Sequence, residues 1–191
     1  MTCIILSGGN GERIGGLDKA FLTIEGEPFI ERKIRQLSPM FKEIIVVVNK
    51  TEAYRNIPAR IITDEKPGQG PLMGLYSGLR ESSSNINFVT TVDSPFMSPA
   101  LVAWLVKKIG DYDAHVPHHG GYTEPLFAAY RKSCIPFIEK TLPKRRIISF
   151  YEYVRVKYAE DDIIRSLDPD YSSFVNINSQ KDFQRIINTI Y

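Results

Sequence analysis

A chain of 191 residues with 43% hydrophobic and 11% aromatic residues suits one domain or a small pair with a real core, which excludes a disordered segment. Lysine and arginine number 24 against 22 acidic residues, a formal charge of +2, so no field over the whole molecule draws it to nucleic acid or to an acidic membrane, and any basic site has to be local. No stretch approaches the roughly 18 apolar residues of a membrane span, no basic segment precedes the short N-terminal apolar run, and Cys3 and Cys134 stand too far apart for CxxC or zinc spacing; a reduced, cytoplasmic protein fits, with both cysteines as small apolar fillers.

The first element is the apolar run Thr2 to Ser7, of strand length, which opens into SGGNGERIGGLDK. Glycines at that density are costly to order, because each loses more conformational freedom on folding than any other residue. The stretch therefore needs bare backbone for some purpose. Helical spacing follows over Pro28 to Leu37, strand-like runs over Glu43 to Asn49 and Arg60 to Thr63, a helix over Pro71 to Arg80, a strand over Phe88 to Val92 and a helix over Pro99 to Ile109. The alternation predicts an α/β fold, a parallel sheet covered on both faces with right-handed crossovers. Ligands then bind at the carboxyl ends of the strands. Beyond Asp111, DAHVPHHGGYTEPLFAAY reads as two strands around a His-Gly turn, followed by helical stretches near Ser133 to Thr141 and Arg145 to Tyr153 and a last helix after Asn178.

The glycine-rich stretch matches neither standard phosphate loop. A Walker A loop needs GxxxxGK[ST], yet Gly11 and Gly16 are followed by Leu17, and GxGxxG fails because Gly9 and Gly11 lead to Ile14. The second strand ends in Asn49 and not in the acidic residue that grips a ribose in the dinucleotide fold. What remains is a glycine turn with Arg13 and Lys19 close by, either a phosphate cradle of N–H donors and two cations or a tight surface turn with solvated charges. Asp93 ends the run NFVTTVD, which puts a carboxylate at the ligand edge of the sheet. It can hold Mg2+, an ion that commonly takes one or two protein carboxylates, or it can cap a turn. His115, His118 and His119 lie in the hairpin turn with no nearby cysteine and read first as an exposed turn. Phe150, Tyr151, Tyr153 and Tyr158 read first as core or helix surface.

LSGGNGERIGGLDKAFLTIEGEPFIERKI resembles the LxGGxxxRxGxxK signature of nucleotidyltransferases that activate a small molecule with a nucleoside triphosphate, and in particular the molybdenum cofactor guanylyltransferases. The spacing of Gly8, Gly9, Arg13, Gly15 and Lys19 is kept, and the resemblance continues in order through VVVNK, IITDEKPGQGPLMGLYSGL, FVTTVDSPFMSP, TEPLFAAY, KRRIISF and FVNINSQKDF. Serine replaces the commoner alanine at Ser7, and methionine at Met73. The resemblance implies a Rossmann-like, three-layer nucleotidyltransferase fold with a mostly parallel central sheet, one domain over residues 1–191, its N-terminal part for the nucleotide and its C-terminal part for molybdopterin. It implies GMP transfer from GTP to the terminal phosphate of molybdenum-molybdopterin with release of pyrophosphate. The carried-over roles are Arg13, Lys19 and Asp93 in catalysis, Leu6, Ser7, Gly8, Gly9, Lys19, Asn49, Asp64 and Asp93 for GTP, and Asp93 for Mg2+. Asp64 is chemically suited to guanine, whose N1–H and exocyclic amine are both donors.

A phosphate monoester is anionic at neutral pH, so this nucleophile needs no dedicated base, and positioning with charge neutralisation is the main demand. In FVNIN, Asn176 and Asn178 stand two apart, so an extended segment points both amides to one side. A pterin has an amide edge and an amine that asparagine can read, although Asn178 can instead cap the helix that follows. The resemblance favours the pterin role, with Arg145 or Arg146 on the substrate phosphate, and allows transient contact with cofactor-synthesis proteins and acceptor apo-enzymes. Two other readings stand beside it: transfer from CTP or to another small-molecule phosphate, and a non-catalytic nucleotide- or cofactor-binding adaptor.

Overall fold

The computed structural model describes residues 1–8, 13–14, 17–66 and 68–190. Aliphatic and β-branched runs form β1 (Thr2–Ser7), β2 (Glu43–Val48), the edge strand β3 (Arg60–Thr63) and β4 (Ile86–Thr91), because such side chains pack well on a pleated surface, in the central strands one buried on both sides. β1 lies parallel between β2 and β4, and β3 is parallel to β2. The chain then adds β5 (Ala114–His119), β6 (Tyr122–Thr123), β7 (Ala128–Arg131) and β8 (Val156–Ala159). β7 inserts antiparallel between β4 and β5, giving the order β6-β5-β7-β4-β1-β2-β3, with β8 parallel to β5. Chain order reverses between β1 and β4, and such a switch point opens a crevice at the strand ends.

Among the described residues six α-helices cover the sheet: α1 (Phe29–Leu37), α2 (Pro71–Glu81), α3 (Pro99–Lys107), α4 (Ile135–Thr141), α5 (Asp161–Leu167) and α6 (Gln180–Ile190). Alternation along β1 sends Cys3 and Ile5 to a core with α1 and α3, and Ile4 and Leu6 to a second core with α2 and α4. The result is three layers, as expected. Two sequence expectations shift: the segment Arg145 to Tyr153 is a 3-10 helix over Ile147–Tyr153, and α3 stops at Lys107. β8 and α5 carry short, mixed patterns and were not expected. Ser98 starts α3, its Oγ accepting from Leu101 N–H at 3.3 Å, and Ser179 starts α6 by exchanging bonds with Asp182, whose Oδ2 accepts from Ser179 N–H at 2.9 Å. Neither Asp93 nor Asn178 serves as the helix cap that the sequence allowed.

α2 reaches β1 through two glycines one turn apart. A Cβ on Gly74 would stand 3.3 Å from Leu6 Cδ2, and one on Gly78 only 2.5 Å from Ile4 Cγ2. Ordinarily Gly→Ala inside a helix gains about 1 kcal/mol. At Gly78 the clash decides the sign: Gly78→Ala is expected to destabilise by about 1–3 kcal/mol, as read from the urea midpoint of unfolding, whereas an unchanged or higher midpoint would mean that α2 does not rest on Ile4.

Candidate functional site

The carboxyl ends of β1, β2 and β4 surround a cavity of about 330 Å3 lined by Leu6, Gly8, Lys19, Asn49, Asp64 and Asp93. The loop before α2 closes one side with Gly68, Gly70 and Pro71. Gly68 and Gly70 have φ of 79° and 88°, the left-handed region that other residues enter at a cost. Gly8 is needed for a different reason, since a Cβ there would meet Asn49 Cγ at 3.2 Å. Bare backbone thus lets the ends of β1 and β2 approach each other beneath the cavity.

Lys19 is buried and belongs to a 3-10 turn, Lys19–Phe21, that Asp18 caps by accepting from Ala20 N–H at 2.9 Å. The second carboxylate oxygen of Asp18 accepts from the Tyr54 hydroxyl at 3.0 Å, and Tyr54 in turn pairs with Ser7 Oγ at 2.8 Å. This chain of bonds fastens the turn to β1, so the Ser7 hydroxyl supports the cavity from behind and does not line it. Lys19 Nζ lies 3.8 Å from Asp93 Oδ2 and donates to Asn178 Oδ1 at 3.2 Å. Asp64 is buried, accepts from Ser77 Oγ at 2.8 Å, and has its carboxyl pKa raised by burial against the opposing bonds from Ser77 and the Lys66 and Glu65 N–H groups. A partly desolvated acceptor of this kind gains from an incoming pair of donors.

Asp93 also lines a second cavity, of about 160 Å3, with Glu124, Phe174, Asn176 and Asn178. The Asp93 carbonyl accepts from Ile177 N–H at 2.8 Å and Ile177 is buried. That anchor leaves the exposed Asn176 and Asn178 on the cavity side of the segment, as the two-residue spacing predicts. The Asp93 carboxylate remains partly open at 27% side-chain exposure. Among the described residues no group of three or more His, Cys, Asp or Glu could hold a metal. One open carboxylate beside a phosphate-sized space fits a hard divalent ion that completes its shell with water and phosphate oxygen, and does not fit a zinc centre.

The other expected residues fall elsewhere. Gly9 lies outside the described residues, and Arg13 enters them by its backbone alone, in the two-residue strand Arg13–Ile14. Arg145 and Arg146 do not reach the second cavity. Arg146 lines a separate surface hollow with Lys144 and Glu152, while the Arg145 carbonyl stands 3.8 Å from where a Cβ on Gly70 would be, so the segment flanks the glycine loop of the first cavity. The three histidines are not one exposed turn. His115 sits buried within β5, where burial lowers its pKa to about 4, and its Nδ1 is 2.8 Å from the Leu105 carbonyl. His118 and His119 end the strand, each beside a glutamate. Strand alternation turned His115 inward, and no sequence spacing announced that.

One buried cation escaped the sequence reading. Lys33 of α1 is fully buried and its Nζ donates to the Ser94 carbonyl and lies 3.5 Å from Ser94 Oγ, directly behind Asp93. Its place in the helical stripe with Phe29, Ile30, Ile34 and Leu37 was legible, but a lysine there reads by default as a solvated charge. Burial lowers its pKa from 10.5 to about 8, opposed in part by the negative charge of Asp93.

Residues 3–160 match the family model described as the MobA-like NTP transferase domain. The chain is 34% identical to a probable molybdenum cofactor guanylyltransferase of Pelotomaculum thermopropionicum, covering 95% of this chain and 89% of that protein. It is 31% identical to the molybdenum cofactor guanylyltransferase of Desulfosudis oleivorans, covering 97% and 93%. A crystal structure of molybdopterin-guanine dinucleotide biosynthesis protein A from Archaeoglobus fulgidus superposes with a TM-score of 0.85 at 28% identity over 100% of this chain and 98% of the other. A methylerythritol phosphate cytidylyltransferase from Thermus thermophilus shares the fold at 16% identity and a TM-score of 0.69.

Burial of Lys33 sets a pH dependence. Below pH 8 both folded and unfolded chains hold its proton, and the folded state bears the full cost of the buried charge. Between pH 8 and 10.5 the folded chain has released the proton that the unfolded chain keeps, so stability rises with pH. Unfolding free energies of wild type and Lys33→Met, measured in urea from pH 7 to 10.5, should diverge in favour of wild type by ~3 kcal/mol. A constant difference would show that the ammonium is solvated.

Proposed function

From a chain that belongs to the molybdenum cofactor guanylyltransferases, within the MobA-like NTP transferase family, we propose a division of labour among the residues around Asp93. The enzyme transfers GMP from GTP to the terminal phosphate of molybdopterin in molybdenum cofactor synthesis. The first cavity takes GTP: Leu6, Gly8 and the glycine loop before α2 line its phosphates, Asn49 the sugar side, and Asp64 accepts the paired donors of guanine. The second takes molybdopterin, with Asn176 and Asn178 on the ring; Arg145 and Arg146, which stand outside its wall, are assigned to the substrate phosphate by their place in the matched segment alone. The observation that carries this reading is the position of Asp93 in the walls of both cavities, because the attacking phosphate and the α-phosphorus of GTP have to meet where the two substrates adjoin.

Lys19, held 3.8 Å from Asp93, neutralises charge on the β- and γ-phosphates as pyrophosphate departs, a contact that strengthens towards the transition state. Arg13 is assigned to the same phosphates by its place in the signature. Asp93 would hold the divalent ion that family members use, and we assign Mg2+. Bound there, such an ion supplies charge neutralisation on the transferred phosphate. Residues 1–191 act as one domain, the nucleotide on its N-terminal part and the pterin on its C-terminal part. No described helix is long and apolar enough to cross a membrane, and the free, buried Cys3 and Cys134 support a reducing, cytoplasmic setting in which the product passes by transient contact to other cofactor-synthesis proteins or acceptor apo-enzymes.

Asp93→Asn keeps the side-chain shape and removes the charge, so GMP transfer from GTP with Mg2+ is expected to fall by roughly a hundredfold or more while the circular dichroism spectrum is unchanged; full activity would reduce Asp93 to a turn residue. Wild type should prefer GTP to CTP by roughly tenfold or more, because cytosine leaves the buried Asp64 without its paired donors. Equal turnover with both would overturn the role of Asp64. Asn176→Ala should weaken molybdopterin binding and leave GTP binding nearly unchanged in separate titrations, the reverse pattern being the result that reassigns this end of the chain.

A further inference from the structure

Glu124 stands in the wall of the second cavity together with Asn176 and Asn178. We propose that Glu124 is the specificity residue for the pterin, its carboxylate accepting the adjacent N3–H and 2-amino donors of the ring; this rests on the reading of the second cavity as the molybdopterin site.

The backbone holds Glu124 in a fixed turn after β6. Its N–H donates to the Pro117 carbonyl at 2.9 Å, and its carbonyl accepts from Phe127 N–H at 3.1 Å. The side chain is only 29% exposed, and Oε1 lies 3.3 Å from His119 Nε2. No described residue bonds Oε2, which leaves acceptor capacity in a partly desolvated wall. Burial raises the Glu124 pKa and His119 opposes the rise, so added donors would further favour the ionised form. His119 is itself held by stacking on Phe174, with ring centroids 4.5 Å apart and an interplanar angle of 20°. The carboxylate thus stands beside a ring whose own place is set by packing and whose buried Nε2 makes no hydrogen bond among the described residues, and Phe174 lines the same cavity.

The hydrogen-bond inventory favours a carboxylate for this task. A pterin presents two neighbouring donors on one edge and acceptors on the other. A carboxylate is acceptor-only and can take both donors in parallel, whereas an amide sets its own NH2 against one of them. Asn176 and Asn178 retain donors for the acceptor side. Lys19 already donates to the side-chain Oδ1 of Asn178, which leaves that residue's NH2 to meet a ligand. Glu124 completes the set that the two asparagines lack.

The test uses the full chain with GTP, Mg2+ and molybdopterin, and compares wild type with Glu124→Gln and Asn176→Ala. In Glu124→Gln the molybdopterin KM should rise roughly tenfold to a hundredfold with the GTP KM unchanged. Competitive inhibition by pterin over lumazine, the same ring with a carbonyl in place of the 2-amino group, should also lose the preference shown by wild type. A Glu124→Gln enzyme with wild-type molybdopterin KM, or one that keeps the preference, overturns the assignment of Glu124. If Asn176→Ala raises the molybdopterin KM while Glu124→Gln does not, the cavity is the pterin site and only this inference fails. If neither variant raises it, the reading of the cavity fails as well.

Discussion

A buried ammonium holds the site together. Lys19 Nζ lies against Asp93 and bonds Asn178, a residue 159 positions away in the chain. Burying a lysine costs several kcal/mol unless its charge is met by partners, so the carboxylate at the end of β4 and the amide of the C-terminal segment must both be in place. The backbone bond from Ile177 to the Asp93 carbonyl, at 2.8 Å, secures the same junction without side-chain entropy. Three segments remote in sequence meet at one carboxylate, and the two cavities follow from that meeting.

The topology explains why this junction exists at all. With β4 and β2 on opposite sides of β1, the chain leaves adjacent parallel strands in opposite directions, and the strand ends diverge into a crevice. α2 closes the crevice because Gly74 and Gly78 let it settle on Leu6 and Ile4. The same approach delivers Ser77 to Asp64 and the glycine loop to the cavity mouth. Packing on the far side of the sheet matters as well: Lys33 reaches through from α1 to the Ser94 carbonyl, so the turn that carries Asp93 is held from behind by a charge in one core and from in front by Lys19.

Such a site tolerates different chemistry in its two halves. The first cavity is framed largely by backbone and side chains at strand ends, a setting of N–H donors that suits phosphate groups in general. The second cavity is walled by Phe174, Glu124 and the asparagines, drawn from the antiparallel extension and the C-terminal segment. A cytidylyltransferase shares the fold at 16% identity, which illustrates that fold alone leaves the substrates open.

Local patterns in the sequence determined a great deal. β-Branched runs alternating with helical stripes announced the parallel sheet, its two covered faces and the ligand edge, because burial on both faces demands apolar strands. The density of glycine marked bare backbone, and the run of matched segments marked the family. Other features depended on which distant residues become neighbours. Nothing local distinguishes Lys33, which closes a buried contact with Ser94, from a solvated lysine, or the inward His115 from the outward His118. A cap was the lesser reading of Asp93, and Ser98 is the residue that starts α3; Glu124 joins a cavity wall only because the hairpin brings it together with Asn176. Periodicity records the environment of each side chain one element at a time, whereas burial of a charge and the pairing of polar groups are decided by partners that only the folded chain brings within a few ångströms.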